Sequence, residues 1–179
     1  MQEIYFIRHW ETDRNLNKII NPWDVDSMLN DTWIQQAHDA GKKLQAEDIS
    51  FDVIISSSLT RALDTAAIIA EYLGYDWEII SRDDIKEKYA GIFKDYHQSQ
   101  FPEEFGVKYS QEVVAKFPDQ HFEWLESGPD FQKRIDDAMV SIKSNPDYQD
   151  KTILLVAHGG VWRAIFGDMH IGNCEYMKV

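Results

Sequence analysis

Two histidines and two arginines stand at or shortly after the ends of apolar runs, and their types suit one kind of chemistry. These residues are Arg8, His9, Arg61 and His158. An imidazole near neutral pH has an unprotonated nitrogen that can attack phosphorus. Arginine stays charged and offers paired N–H donors that match phosphate oxygens. If the fold gathers these four side chains, we expect a site for phosphoryl transfer, which needs mainly positioning and charge neutralisation.

Apolar runs and helical periodicities along the chain predict an α/β fold. We predict strands at 3–7, 51–56, 77–80 and 152–157, and helices at 33–47, 59–73, 130–144 and from Gly160 onward. In the first of these helices, the expected buried face carries Ile34, Ala37, Gly41 and Leu44, and Gly74 stands where a C-terminal cap is expected for the second. Alternating strands and helices favour a three-layer α/β/α sandwich with a mostly parallel central sheet.

The predicted strands would bring the four side chains to one place. In an open parallel sheet, ligands bind in the crevice beyond the carboxyl ends of the strands. Arg8 and His9 follow the first strand, Arg61 comes shortly after the second and His158 follows the last. Helices that open near Ser58 and Gly160 would add oriented N–H groups to the same crevice.

A proton donor for the leaving oxygen is also needed, and a carboxyl group can supply it. Glu87 is the candidate, because it stands at the start of an aromatic and charged stretch, 88–128, with Asp84 as the alternative. We interpret 88–128 as a cap insertion over the core. The whole chain, 1–179, is then expected to form a single domain.

The composition narrows the class of partner. A formal net charge of −13 argues against binding to nucleic acid. The apolar runs are too short to span a bilayer, and Met1 is not followed by a leader-like segment. The single Cys174 fits a reducing compartment, so we expect a cytoplasmic location. The histidines lack a close metal-ligand spacing, so we expect no metal and no cofactor.

Five segments in order resemble motifs of the histidine phosphatase, or phosphoglycerate mutase-like, superfamily. Residues 6–15 resemble its Arg-His-Gly-Glu-Thr-x-x-Asn motif, and 56–66 are similar to Ser-Ser-Pro-Leu-x-Arg-Ala-x-Gln-Thr-Ala. Residues 85–91 resemble the segment that carries the general acid, 156–164 resemble the late His-Gly-Gly motif, and 171–174 look like the closing turn. Several motifs in register are a specific signal.

This resemblance implies a role for each matched position. His9 would be the nucleophile that becomes phosphohistidine, and Glu87 would protonate the leaving group and then help to activate water. The phosphoryl oxygens would be held by Arg8, Arg61, His158 and Asn15. We further expect Trp10 and Ser57 to contact the substrate.

The sequence also departs from the family pattern. Trp10 replaces the glycine after the catalytic histidine, and Trp33 stands where a glycine is common. Asp64 replaces a glutamine of the second motif, and Ala90 replaces the tyrosine of phosphoglycerate mutases. Those mutases also carry an arginine pair in the cap, whereas Arg82 is the only arginine between Arg61 and Arg134. Hydrolysis is therefore favoured over mutase activity.

The leading hypothesis is a phosphomonoesterase that acts on a small phosphorylated metabolite. One alternative is a phosphatase for phosphohistidine on a protein, and another is a mutase-type transferase. The third is a pseudoenzyme that binds phosphate, for which Trp10 beside the nucleophile is the main argument. The oligomeric state stays open, with a homodimer as one alternative.

Overall fold

The elements of the chain follow the predicted alternation of strands and helices. The computed structural model describes residues 1–9, 12–23, 25, 31–90, 97, 126–167, 169 and 175–179, except for the side chains of 15 and 31–33. Its strands are β1 (Glu3–Arg8), β2 (Val53–Ser57), β3 (Ile80–Arg82), β4 (Thr152–Ala157) and β5 (Tyr176–Lys178). Its helices are α1 (Asp13–Leu16), α2 (Asp31–Ala46), α3 (Thr60–Leu73), α4 (Gly128–Ser144) and α5 (Gly159–Phe166), and a 3-10 helix covers Pro146–Tyr148.

The sheet has the order β3-β2-β4-β1-β5. β1, β4, β2 and β3 run parallel, while β5 pairs antiparallel with the outer side of β1. The predicted mostly parallel sheet is confirmed. The register pairs Arg8 with Ala157 and Ser56 with Val156, so the carboxyl ends of β1, β4 and β2 lie side by side.

Helices cover both faces of the sheet, because the central strands carry apolar side chains that point to both faces. Phe6 of β1 and Leu155 of β4 pack with α4 and α5 on one face. Ile7 and Leu154, their neighbours in sequence, pack with α2 and α3 on the other. Successive side chains of a strand point to opposite faces, so continuous apolar strands require two helical layers. The three-layer arrangement is therefore confirmed.

Two local predictions are corrected by the structure. The third strand lies at Ile80–Arg82 instead of 77–80, because only these residues pair with the end of β2, while the Trp77 side chain is 76% exposed. Ile34 of α2 is exposed, since the buried stripe of this helix begins one turn later at Ala37. The predicted cap of α3 is confirmed: Gly74 has φ +62° and donates its N–H to the end of the helix.

The predicted cap insertion, 88–128, lies mostly outside the described residues, which include only 88–90, 97 and 126–128 of it. Among the described segments, no helix is long and apolar enough to cross a membrane.

Candidate active site

The two predicted catalytic histidines lie together at the carboxyl edge of the sheet. The backbone N–H of His9 donates to the carbonyl of Ala157 at 2.7 Å, which extends the pairing of β1 and β4 by one residue. The imidazole rings of His9 and His158 are 4.7 Å apart between centroids and meet edge to face. His158 is fully buried, and His9 is 4% exposed. The sheet therefore fixes the relative position of both rings.

The two predicted arginines approach this edge from different sides. The half-buried Arg8 guanidinium lies against the start of α5, since a Cβ added to Gly159 would be 3.3 Å from its Cζ. Arg61 is fully buried in the first turn of α3. Both positive charges lower the pKa of His158, which places them in the electrostatic surroundings of the two imidazoles.

Arg61 has a second set of contacts that the sequence did not reveal. Its Nη1 donates to the carbonyl of Val25 at 2.9 Å. Its Nη2 donates to the carbonyls of Asn21 and Pro22 at 3.3 and 3.4 Å. Arg61 therefore also anchors the loop that follows α1.

The environment of His158 favours its neutral form. Burial is the first cause that lowers its pKa well below the ordinary value of 6.5. The further causes act in the same direction and are the charges of Arg61, His9, Arg8 and Arg134. A neutral imidazole carries one proton, so only one of its two nitrogens is a donor.

A hydroxyl group contacts one of the two nitrogens. Ser57 Oγ lies 2.7 Å from Nε2 of His158, and both residues are fully buried. The same oxygen accepts the N–H of Leu59 at 3.4 Å, and its O–H can donate to Nε2 when that nitrogen is unprotonated. In that tautomer the imidazole proton is on Nδ1, which is buried and has no hydrogen-bond partner among the described residues. Ser57 was predicted to contact substrate, and the structure places its hydroxyl on His158.

We expect the free energy of unfolding to depend on pH because His158 is neutral in the folded chain. Because its folded pKa is depressed, the unfolded chain binds a proton that the folded chain does not. Stability should therefore fall as the pH drops from 6.5 toward the folded pKa, by about 1.4 kcal/mol per pH unit. Urea unfolding at a series of pH values measures this slope. His158→Gln should reduce it by one proton, and an unchanged slope in that variant would contradict the assignment.

We expect Ser57→Ala to disturb the His158 ring without removing any charge. The substitution removes the hydroxyl that contacts Nε2, so the proton can redistribute between the two nitrogens. Turnover should fall about tenfold to a hundredfold, as is typical when a partner that orients a histidine is lost. Nitrogen NMR shifts of the His158 ring would show the mixed tautomer. Ser56→Ala is the matched control, because that hydroxyl donates to the Ser57 carbonyl and not to the imidazole; equal effects of both variants would argue against the role.

Glu87 reaches the same edge from the segment after β3. Its Oε2 accepts the N–H of Gly160 at 3.0 Å, in the first turn of α5, and its Oε1 accepts the N–H of Lys88 at 2.8 Å. A Cβ at position 160 would overlap the carboxylate, so the glycine makes room for it. Asp84, the alternative acid, instead forms a bidentate ion pair with Arg82. The structure thus brings Glu87, and not Asp84, to the start of α5.

Two predicted substrate contacts cannot be placed. Trp10 lies outside the described residues, and Asn15 lies in α1 with its side chain undescribed. Arg134 of α4 was not among the predicted site residues, although its charge also lowers the pKa of His158. In the sequence, Arg134 stands between Phe131 and Ile135, which are both buried, and this spacing was the one indication that its guanidinium lies near the core.

Together, these contacts define an α/β sandwich with a cationic, histidine-lined site at the carboxyl edge of its sheet. Such a donor set suits a phosphoryl group. A profile of the histidine phosphatase superfamily (branch 1) matches residues 4–176. The chain belongs to the histidine phosphatase superfamily.

Two curated relatives match over most of the chain. The uncharacterized phosphatase PhoE of Bacillus subtilis is 31% identical over 175 residues, which are 98% of this chain and 81% of the relative. The metal-independent phosphoserine phosphatase of Arabidopsis thaliana is 30% identical over 166 residues, 92% of this chain and 67% of the relative. Among solved structures, a phosphoserine phosphatase variant from Entamoeba histolytica in complex with phosphoserine has a TM-score of 0.75 and 23% identity. That alignment covers 99% of this chain and 90% of the solved one, and it shows a shared fold.

Proposed function

We propose that this chain hydrolyses phosphomonoesters of small metabolites through a covalent phosphohistidine on His9, without a metal or other cofactor. The observation that carries the proposal is the buried pair of imidazoles. One ring, His158, has a buried Nδ1 without a partner among the described residues, and its centre is 4.7 Å from that of the His9 ring. A buried polar atom of this kind calls for a hydrogen-bond partner, and when it is protonated a phosphoryl oxygen is a suitable acceptor.

In the first step, the lone pair of a His9 ring nitrogen attacks phosphorus and an N–P bond forms. The P–O bond to the leaving alcohol breaks, and the alcohol oxygen takes a proton from the Glu87 carboxyl group. The charges of Arg8 and Arg61 balance the negative charge on the remaining phosphoryl oxygens, and Nδ1 of His158, when protonated, donates a hydrogen bond to one of them.

In the second step, water attacks phosphorus and the N–P bond breaks. The Glu87 carboxylate accepts one water proton, so inorganic phosphate leaves and both His9 and Glu87 return to their starting states. Between the two steps, the carboxylate can rest on the N–H groups of Lys88 and Gly160, where the structure places it. Glu87 can therefore serve both steps from nearly one position.

The substrate class is supported by the relatives. Phosphatases are named among them, and two of the matched proteins carry phosphoserine phosphatase in their names. We propose a small phosphorylated metabolite of this kind, with phosphoserine as the first compound to test. We also propose a cytoplasmic location, which the single Cys174 favours.

Hydrolysis of an aryl phosphate ester at pH 4–8, with a chelator present, tests the activity. Rapid quenching in alkali during turnover, followed by mass spectrometry of tryptic peptides, tests the intermediate. We expect phosphate release together with one phosphoryl group on the peptide that contains His9, lost on treatment with acid. Tight binding of phosphate without release or labelling would instead support the pseudoenzyme.

A further inference from the structure

The segment that carries Glu87 has no helix or strand of its own. Residues 86–90 follow a turn after β3 and have no regular backbone pairing. A side chain on such a segment keeps a productive position only when other groups fix the backbone around it. The described contacts of this backbone therefore show what holds the acid.

Arg134 of α4 binds the backbone on the N-terminal side of the carboxylate and at Glu87 itself. Its Nη1 donates to the carbonyls of Asp84 at 2.9 Å and Lys86 at 3.0 Å. Its Nη2 donates to the carbonyl of Glu87 at 3.4 Å. One guanidinium thus spans three carbonyls within four residues, which the planar fork of arginine permits and a lysine ammonium does not reproduce.

Glu126 completes the arrangement on the C-terminal side. Its carboxylate pairs with Arg134 through two bonds, Nε–Oε1 at 2.7 Å and Nη2–Oε2 at 2.8 Å. Its Oε2 also accepts the N–H of Tyr89 at 3.1 Å, and its own N–H donates to the Tyr89 carbonyl at 3.4 Å. The side chains of Arg134 and Glu126 are only 18% and 13% exposed, so the pair is poorly screened by solvent.

Aromatic rings cover the guanidinium. Its Cζ lies 5.0 Å from the ring centre of Phe131 and 5.6 Å from that of Trp23. The Trp23 ring in turn packs against Tyr89 at 5.4 Å, and Lys86 Nζ lies 5.6 Å from its centre. The orientation of Arg134 is therefore fixed by packing as well as by hydrogen bonds.

From these contacts we infer that Arg134 and Glu126 are positioning residues that hold the Glu87 carboxylate at the N–H of Gly160, where it can reach a leaving group. The inference rests on the proposed function. The Arg134–Glu126 pair carries no net charge, so its effect on Glu87 acts through geometry, while the Arg134 charge separately lowers the pKa of His158. A role of this kind affects proton delivery more than binding of the phosphoryl group.

The test compares two esters that differ in their need for an acid. Departure of an alkoxide from phosphoserine requires protonation, whereas 2,4-dinitrophenolate leaves without it. For Arg134→Met, kcat/KM for phosphoserine should fall about tenfold to a hundredfold, and kcat/KM for the dinitrophenyl ester should change by less than about threefold. Arg134→Lys should not restore kcat/KM for phosphoserine, because a lysine ammonium cannot bond the three carbonyls as the planar guanidinium does.

A double variant separates positioning from a general loss of structure. In a Glu87→Gln background, Arg134→Met should have almost no further effect on the alkyl ester, since the group it positions has been removed. Lys133→Met is the matched control, because Lys133 precedes Arg134 on α4 and forms an exposed ion pair with Asp137. If Arg134→Met does not fold, Glu126→Gln is measured in its place, with the same expected difference between the esters.

Two results would overturn the inference while leaving the proposed function intact. One is that Arg134→Met lowers kcat/KM equally for both esters. The other is that Arg134→Met lowers kcat/KM for phosphoserine as much in the Glu87→Gln background as in the parent. Failure of the parent protein to hydrolyse either ester would overturn the proposed function, and this inference with it. The parent and Glu87→Gln, measured in parallel, show which of the two has failed.

Discussion

Replacing His9 by alanine is expected to abolish turnover, with a loss of about four to six orders of magnitude in kcat. The alanine removes the nitrogen that is proposed to form the N–P bond, and no other described side chain can take its place in the same geometry. His158 is the nearest imidazole among the described residues, but its Nε2 is engaged by Ser57 Oγ at 2.7 Å. Hydrolysis of an aryl phosphate and labelling of the tryptic peptide should be lost together.

The matched control for this result is His97→Ala. The side chain of His97 is exposed, so its replacement should leave kcat within about twofold of the parent, as expected for most surface substitutions. Phosphate binding by His9→Ala, measured by calorimetry, should persist because Arg8, Arg61 and His158 remain. Turnover that survives in His9→Ala would refute the phosphohistidine route.

Replacing Glu87 by glutamine has the second-largest expected effect. Glutamine keeps the size of the side chain but has no proton to give to the leaving oxygen, so kcat for an alkyl phosphate should fall about a hundredfold to ten-thousandfold. With 2,4-dinitrophenyl phosphate, the first step should remain fast. Water then attacks without a base, so phosphohistidine should accumulate after a burst of dinitrophenolate. Stopped-flow absorbance and alkaline quenching measure the two events.

Asp84→Asn is the control that separates the two carboxylates. Asp84 pairs with Arg82, so its loss should affect stability more than the dependence of rate on the leaving group. A burst and accumulation of phosphohistidine in Asp84→Asn, with normal kinetics in Glu87→Gln, would reverse the assignment of the acid.

Most of the fold was predictable because its signals are local. The apolar run 152–157 became β4 with unchanged bounds, and Gly74 took the left-handed conformation that a C-terminal cap requires. The errors occurred where tertiary contacts decide the outcome. Trp77 has the residue type of a strand, but the pairing with β2 begins at Ile80. Ile34 has the right helical spacing, but it lies beyond the buried stripe of α2.

The site was predictable to the extent that strand ends determine it. His9 and His158 follow neighbouring parallel strands, so their proximity follows from the topology. The contacts that orient the site join distant parts of the chain and leave no periodic pattern. Glu87 meets Gly160 from 73 positions away, and the Glu87 carbonyl meets Arg134 from 47 positions away. Sequence reasoning could therefore propose the reacting groups but not the residues that hold them.

The anchoring of the loop after α1 by Arg61 bears on how the molecule opens in its native state. If that loop opened alone, the fully buried guanidinium would lose the carbonyls of Asn21, Pro22 and Val25, at about 1–3 kcal/mol for each unsatisfied group. Such an opening is costly compared with the fraying of an ordinary surface loop. We therefore expect the amides of Asn21 and Val25 to exchange with solvent only when α3 and β2 also open. The proposed phosphate site and the core would then behave as one cooperative unit.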